Sequence, residues 1–237
     1  MSDSLVVIPT YNEIENIESI TEAVMALSPG FELLIVDDGS PDGTAANVRS
    51  LQIRYPDRIH LMERKEKSGL GTAYIAGFKW ALKRPYEFIL EMDADFSHPP
   101  AKLVELRDCC LRNEADVVVG SRYVKGGGVV NWPFIRLLLS RGASLYVRLI
   151  TGMKVMDPTA GFVCYKRKVL EEIGLDAIRF VGYAFQIEMK YRSFRKGFRI
   201  REIPILFPDR VRGKSKMNIW IIREALWGVF QMRWRQP

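Results

Sequence analysis

The sequence predicts an α/β domain built on a doubly wound, mostly parallel sheet, with helices on both faces and a C-terminal amphipathic helix. Three observations carry that expectation. Predominantly apolar runs recur at residues 5–8, 31–36, 88–92 and 116–120, as in strands covered on both faces. Helical patterns fall between them, giving the order β-α-β-α-β-α-β-α-β, which favours right-handed crossovers within one sheet. Acidic residues stand directly after several of these strands, where ligands bind in open α/β sheets.

Residues 5–8 form the first strand, Pro9 ends it, and Thr10-Tyr11-Asn12-Glu13 forms its loop. A helical pattern continues to about residue 27, with Asn12 or Thr10 as N-cap. Pro29-Gly30 punctuates, and the strand at 31–36 delivers Asp37-Asp38-Gly39-Ser40. Pro41-Asp42-Gly43-Thr44 opens a second helix, which Asp42 or Ser40 can cap. A strand at 58–63 is followed by the glycine-containing loop at 68–72 and a helix at 73–82. The strand at 88–92 delivers Asp93-Ala94-Asp95; a helix at about 101–112 and a strand at 116–120 follow.

After Arg122 the rhythm changes. Gly126-Gly127-Gly128 reads as a flexible loop, 134–150 as a mostly apolar helix, 162–165 as a strand, 184–196 as a helix and 200–205 as a strand. No repeat, low-complexity tract or linker composition interrupts the chain. The expected organisation is one domain over 1–217, divided at 122/123, and a helix over 218–237.

The chain has 237 residues, of which 48% are hydrophobic, so it can bury a sizeable core. The net charge of +7 suits anionic partners. From Arg210 onward, seven Lys/Arg against one Glu hold nearly all of that excess. Cys109, Cys110 and Cys164 are odd in number and lack metal-ligand spacing, which fits reduced thiols in a cytosolic protein. The start MSDSLVVIPTYNE lacks the basic region and long apolar core of a signal peptide, and no apolar run is long enough to predict a transmembrane helix.

Gly69-Leu70-Gly71 lacks the full dinucleotide fingerprint, and no Gly-Lys-Ser/Thr phosphate loop is present, which disfavours Rossmann dehydrogenases and P-loop enzymes. Asp93 and Asp95, one residue apart on chain leaving a strand, can turn toward one hard cation; two solvated turn aspartates are the plain alternative. Tyr11 can pack on a base, while the acids at the strand ends, Glu13, Asp37, Asp38, Asp93 and Asp95, can accept hydrogen bonds from base or ribose. Glu13 equally suits a helix N-terminus.

The stretches VVIPTYNE, IVDDGSPDGT, EMDADFSHPP, GSRY and FPDRVRGKSK, spread from Val6 to Lys216, together with Ser140-Arg141-Gly142-Ala143, resemble the family-2 inverting glycosyltransferases and, within them, the dolichyl-phosphate (polyprenyl-phosphate) mannose synthases. The resemblance implies a GT-A nucleotide-sugar-binding fold, a divalent cation (Mg²⁺ or Mn²⁺), GDP-mannose as donor and a polyprenyl (dolichyl) phosphate as acceptor. Residues 1–122 would then be the nucleotide-sugar half and 123–217 the acceptor half. Pro9, Tyr11, Glu13, Val36 and Asp38 would line the guanosine site; Asp93, Ala94 and Asp95 would meet ribose, diphosphate and metal. Arg122, Arg210 and Lys216 would hold phosphates, and Arg136 the acceptor phosphate. Ser97 stands where some relatives carry a metal-binding Gln; its shorter hydroxyl implies a water bridge to the ion.

A lipid phosphate has a second pKa of about 6 and is mostly dianionic at neutral pH, so it needs no general base. The demands are to position two anions and supply positive charge, which gives Asp95, Arg122 and Arg136 the expected catalytic roles. Trp220, Trp227 and Trp234, spaced by seven, form a stripe suited either to a membrane interface or to docking on the protein itself. The expected setting is peripheral, on the cytoplasmic face of a membrane, with a membrane-spanning partner subunit as a further possibility. The rivals are a UDP-glucose-dependent analogue, a transferase to a sugar hydroxyl using Glu188 or Asp157 as base, and a basic lipid- or nucleic-acid-binding protein. Acids at the strand ends argue against a nucleic-acid partner.

Overall fold

The computed structural model describes residues 2–182, 184–208 and 219–234, with side chains from 227 onward in the last segment. Strand β1 (Ser4–Thr10) is almost wholly buried and pairs in parallel with β2 (Glu32–Asp37) on one side and β4 (Phe88–Glu91) on the other. With β3 (Ile59–Glu63), β5 (Val117–Ser121), β7 (Val163–Lys166) and β8 (Ile200–Pro204), they form one sheet in the order β3-β2-β1-β4-β7-β5-β8. All its pairings are parallel except those of β7, which runs antiparallel between β4 and β5.

Strand alternation sorts the core into two layers. Val6 and Ile8 face the layer of α1 (Ile17–Met25), α2 (Thr44–Arg54) and α4 (Lys102–Leu111). Leu5 and Val7 face that of α3 (Leu70–Leu82), α6 (Arg167–Glu172) and α7 (Ala184–Arg195). A third cluster joins α5 (Phe134–Thr151) to α7 and to α8 (Ile219–Trp234) through Val147, Ile187, Val229 and Met232. No described helix is long and apolar enough to cross a membrane.

Two local expectations are corrected. Helix α1 starts at Ile17 with Asn16 at the N-cap position, so neither Thr10 nor Asn12 caps it: the Thr10 hydroxyl donates to Asp37, and Asn12 sits in the loop at φ 58°. The three-glycine stretch is no mere loop, since β6 (Gly128–Val130) pairs in parallel with β9 (Leu206–Pro208). Its approach needs glycine, because a Cβ on Gly127 would lie 2.6 Å from the Ser121 carbonyl oxygen. Gly71 likewise serves packing, as a Cβ there would meet the Phe185 ring at 2.8 Å.

Candidate active site

The carboxyl ends of β1, β2 and β4 open on a cavity of about 920 Å³ beside the point where strand order reverses. The loops after β1 and β2 are tied together. Asp37 accepts from the Thr10 hydroxyl at 2.9 Å, the Ser40 hydroxyl at 2.6 Å and the Ser40 N–H at 2.9 Å. Asp42 accepts from the N–H groups of Thr44 at 3.0 Å and Ile14 at 3.1 Å, so it binds the first residue of α2 while holding the first loop, although the N-cap position itself is Gly43.

With Asp37 spent on these ties, Asp38 is the acid that lines the cavity. It lies 3.1 Å from Arg64, close but misaligned for a hydrogen bond. Burial raises its carboxyl above the usual range against the pull of Arg64 and Lys67. Lys67 stands 4.4 Å from the Tyr11 ring centroid.

Asp93 and Asp95 leave β4 on a turn that Phe96 completes at φ 59°. The Asp93 N–H donates to His98 Nδ1 at 3.0 Å, the Ser97 N–H to Asp95 Oδ1 at 3.1 Å, and the Tyr74 hydroxyl to Asp93 Oδ1 at 3.4 Å. His98 is buried, stacked on Phe162 at 5.0 Å. Burial lowers its pKa despite the nearby acids, which keeps it neutral, and an accepting Nδ1 leaves the proton on Nε2. Among the described residues, no group of three or more His, Cys, Asp or Glu forms a metal cage. Two adjacent carboxylates fit a hard cation that takes its other ligands from water and phosphate oxygens, and they do not fit a closed zinc site.

The opposite wall is cationic and then apolar. Arg122 donates from Nε and Nη2 to the two Asp157 oxygens, each at 2.7 Å, and from Nη2 to the Thr159 hydroxyl at 2.9 Å. Arg136 lies 3.8 Å over the Trp132 ring, whose centroid is 5.6 Å from the Arg122 guanidinium. Beyond them α5 contributes Ile135, Leu139 and Ala143 to the cavity wall.

Residues 5–174 match the family described as Glycosyl transferase family 2. The chain belongs to that family. Over 231 residues it is 48% identical to the polyprenol monophosphomannose synthase of Mycolicibacterium smegmatis, covering 95% of this chain and 87% of the relative. It is 44% identical to the undecaprenyl-phosphate mannosyltransferase of Micrococcus luteus, covering 97% and 95%. Among solved structures it superposes on a mannosyltransferase from Pyrobaculum calidifontis in complex with GDP-Man and Mn²⁺ with a TM-score of 0.66, at 19% identity, covering 99% of this chain and 65% of the other. The fold is the GT-A type that the motifs implied.

In this family 2 glycosyltransferase the cavity brings together Pro9, Tyr11, Glu13 and Asp38, then Asp93, Ala94, Asp95 and Ser97, and finally Arg122 and Arg136. The side chain of Val36 is not part of this lining: it is fully buried beneath α3, 3.4 Å from where a Cβ on Gly77 would stand, which leaves only its main chain to meet a nucleotide. Arg210 and Lys216 lie outside the described residues. Glu188 is spent on Arg192 and on the N–H groups of Arg179 and Phe180. Asp157 is spent on Arg122. Sequence reasoning missed His98, Lys67, Trp132 and Thr159 as cavity residues. A His beside Pro-Pro just after the acids was a usable signal for the first; nothing local marked the others.

Proposed function

We propose that this protein transfers mannose from GDP-mannose to a polyprenyl phosphate with inversion, giving polyprenyl-phosphate β-mannose and GDP. The observation that carries this reading is one cavity that runs from strand-end carboxylates, past two arginines, to the apolar side chains of α5. The two relatives matched over 87% and 95% of their length, named for polyprenol or undecaprenyl-phosphate mannosyl transfer, support mannose as the sugar and a lipid phosphate as the acceptor over the glucose analogue.

Tyr11 packs on the base, and Asp38 accepts from its imino and amino groups. Asp93 and Asp95 hold Mg²⁺ or Mn²⁺, which when bound neutralises charge on the leaving diphosphate. Ser97 supports Asp95 through its N–H, and its hydroxyl would reach the ion only through water. Arg122 and Arg136 set the acceptor phosphate in line with the anomeric carbon. A phosphate oxygen forms the new bond to that carbon as the bond to the diphosphate oxygen breaks, and the pair leaves as GDP. No side chain has to take a proton, because the acceptor is already ionised. The prior engagement of Asp157 and Glu188 supports this over transfer to a sugar hydroxyl.

A peripheral membrane position belongs to the same proposal, and the exposed apolar side chains of α5 and α8 support it. Phe134, Leu138 and Leu149 are 76%, 60% and 75% exposed, and Trp227 and Trp234 of α8 are 64% and 75% exposed. Helix α8 therefore divides its surface, docking through Val229 and Met232 while presenting tryptophans outward.

The test is incubation with GDP-mannose or UDP-glucose, a polyprenyl phosphate, and Mn²⁺ or EDTA, with mass and NMR analysis of the lipid. Mannosyl lipid of β configuration, made with Mn²⁺ and lost with EDTA, is the expected result. Glucosyl lipid, an α product, or salt-sensitive nucleic-acid binding without sugar transfer would each replace the reading.

A further inference from the structure

We infer that Asp157 and Thr159 are positioning residues for Arg122, and that segment 156–161 serves to present that guanidinium to the reacting phosphates. The inference rests on the function proposed above. Asp157 is fully buried, and its carboxylate takes three hydrogen bonds from one residue: Nε and Nη2 of Arg122, and the Arg122 main-chain N–H at 3.1 Å. Head and backbone of the arginine are thus fixed by the same two oxygens. A long side chain that otherwise samples many rotamers is reduced to one plane and one direction. Thr159 adds a second anchor at Nη2 and donates its own proton to Asp157 Oδ1 at 3.2 Å.

The holder is itself held. The N–H groups of Met156 and Asp157 donate to the Glu202 carboxylate on β8, at 2.7 and 2.9 Å. The fully buried ammonium of Lys190 on α7 donates to the Ala160 carbonyl at 2.5 Å. Segment 156–161 is therefore pinned to the sheet at one end and to α7 at the other. Thr159, Ala160 and Gly161 form cavity wall beside Arg122.

Energetics point to function more than to stability. A buried ion pair gives little net stabilisation compared with apolar residues of similar size, because both charges lose their hydration. Burial raises the Asp157 carboxyl, yet the hydrogen bonds and charge of Arg122 outweigh it and hold the group ionised. What such a pair does supply is a cation whose orientation is set before the substrate arrives, and catalysis by positioning depends on that.

The experiment compares steady-state kinetics for the full chain and for Asp157→Asn, Thr159→Val, Thr159→Ser, Arg122→Lys and the Arg122→Lys/Asp157→Asn double variant. Asp157→Asn should lower kcat about a hundredfold with the KM for GDP-mannose changed less than about threefold. Thr159→Val should lose about tenfold, and Thr159→Ser should recover most of it. In the Arg122→Lys background, where no fork exists, Asp157→Asn should cost less than about threefold more. Losses that simply multiply, or a Thr159→Val enzyme with wild-type kcat, overturn the inference. If Asp157→Asn fails to fold, the Thr159 pair decides. If the wild type transfers no mannose, the proposed function falls by itself. Calorimetry with inorganic phosphate then reads the positioning: weaker binding in Thr159→Val restored in Thr159→Ser supports it, and equal binding overturns it.

Discussion

The sheet-edge wall of the cavity and the α5 wall treat water in opposite ways. Leu5, Val6, Val7 and Ile8 of β1 are fully buried, and the polar groups at its end are tied to the next loop by Asp37 and Asp42. Helix α5 buries Ser144, Val147 and Thr151 near its C-terminal end and leaves Phe134, Ile135, Leu138 and Leu139 largely exposed toward its start. The difference matches two ligands of unlike chemistry. A nucleotide diphosphate needs fixed dipoles and charges, which a buried parallel sheet can hold in register. A polyprenyl chain needs only an apolar surface continuous with its solvent, and a half-docked helix provides that.

The contrast can be broken at its polar wall with the largest effect. Asp95→Ala should reduce kcat by about a thousandfold, a barrier increase of about 4 kcal/mol, with no rescue by added Mg²⁺ or Mn²⁺. A near-normal rate with excess metal removes Asp95 from the metal site. Next in size is the apolar wall. Leu138→Glu with Leu149→Glu should weaken flotation with anionic vesicles by at least about a hundredfold, since each leucine gains about 2 kcal/mol on burial. Transfer to a short-chain soluble acceptor should stay near wild type, and equal flotation would remove α5 from the membrane contact.

Trp132→Leu sharpens the boundary between the walls. It removes the ring beside Arg122 and Arg136 and should raise the KM for the lipid phosphate about tenfold, with the KM for GDP-mannose little changed. The smallest effect on catalysis belongs to Val36→Ala. It should cost about 1–2 kcal/mol of stability, seen as a lower Tm, while both KM values remain those of the wild type. A raised KM for GDP-mannose would return Val36 to the nucleotide site.

Legibility followed the same division. Predominantly apolar runs marked the four principal parallel strands, because a strand covered on both faces shows little polar alternation to hide it. The acids after them were legible because they sit within a few residues of a strand end. Asp38, Asp93 and Asp95 needed only local order to be placed on one edge. Which of the paired Asp37 and Asp38 faces the cavity was not legible from residue type, and only the family resemblance pointed to Asp38: Thr10 and Ser40 claim Asp37 through contacts across 27 and 3 positions of chain. Antiparallel β7 was invisible as such, since insertion between β4 and β5 depends on two distant partners and leaves no trace in its own residues.

By itself the sequence determined the α/β class, the strand ends that carry acids, and the arginines able to meet phosphate, all properties of residue type and short spacing. Only the tertiary structure decided that Val36 turns into the core, that Asp157 grips Arg122 from 35 residues away, and that α5 keeps its apolar side outward. Those outcomes depend on which surfaces remain after the sheet and its helices have packed, and packing is a property of the whole chain.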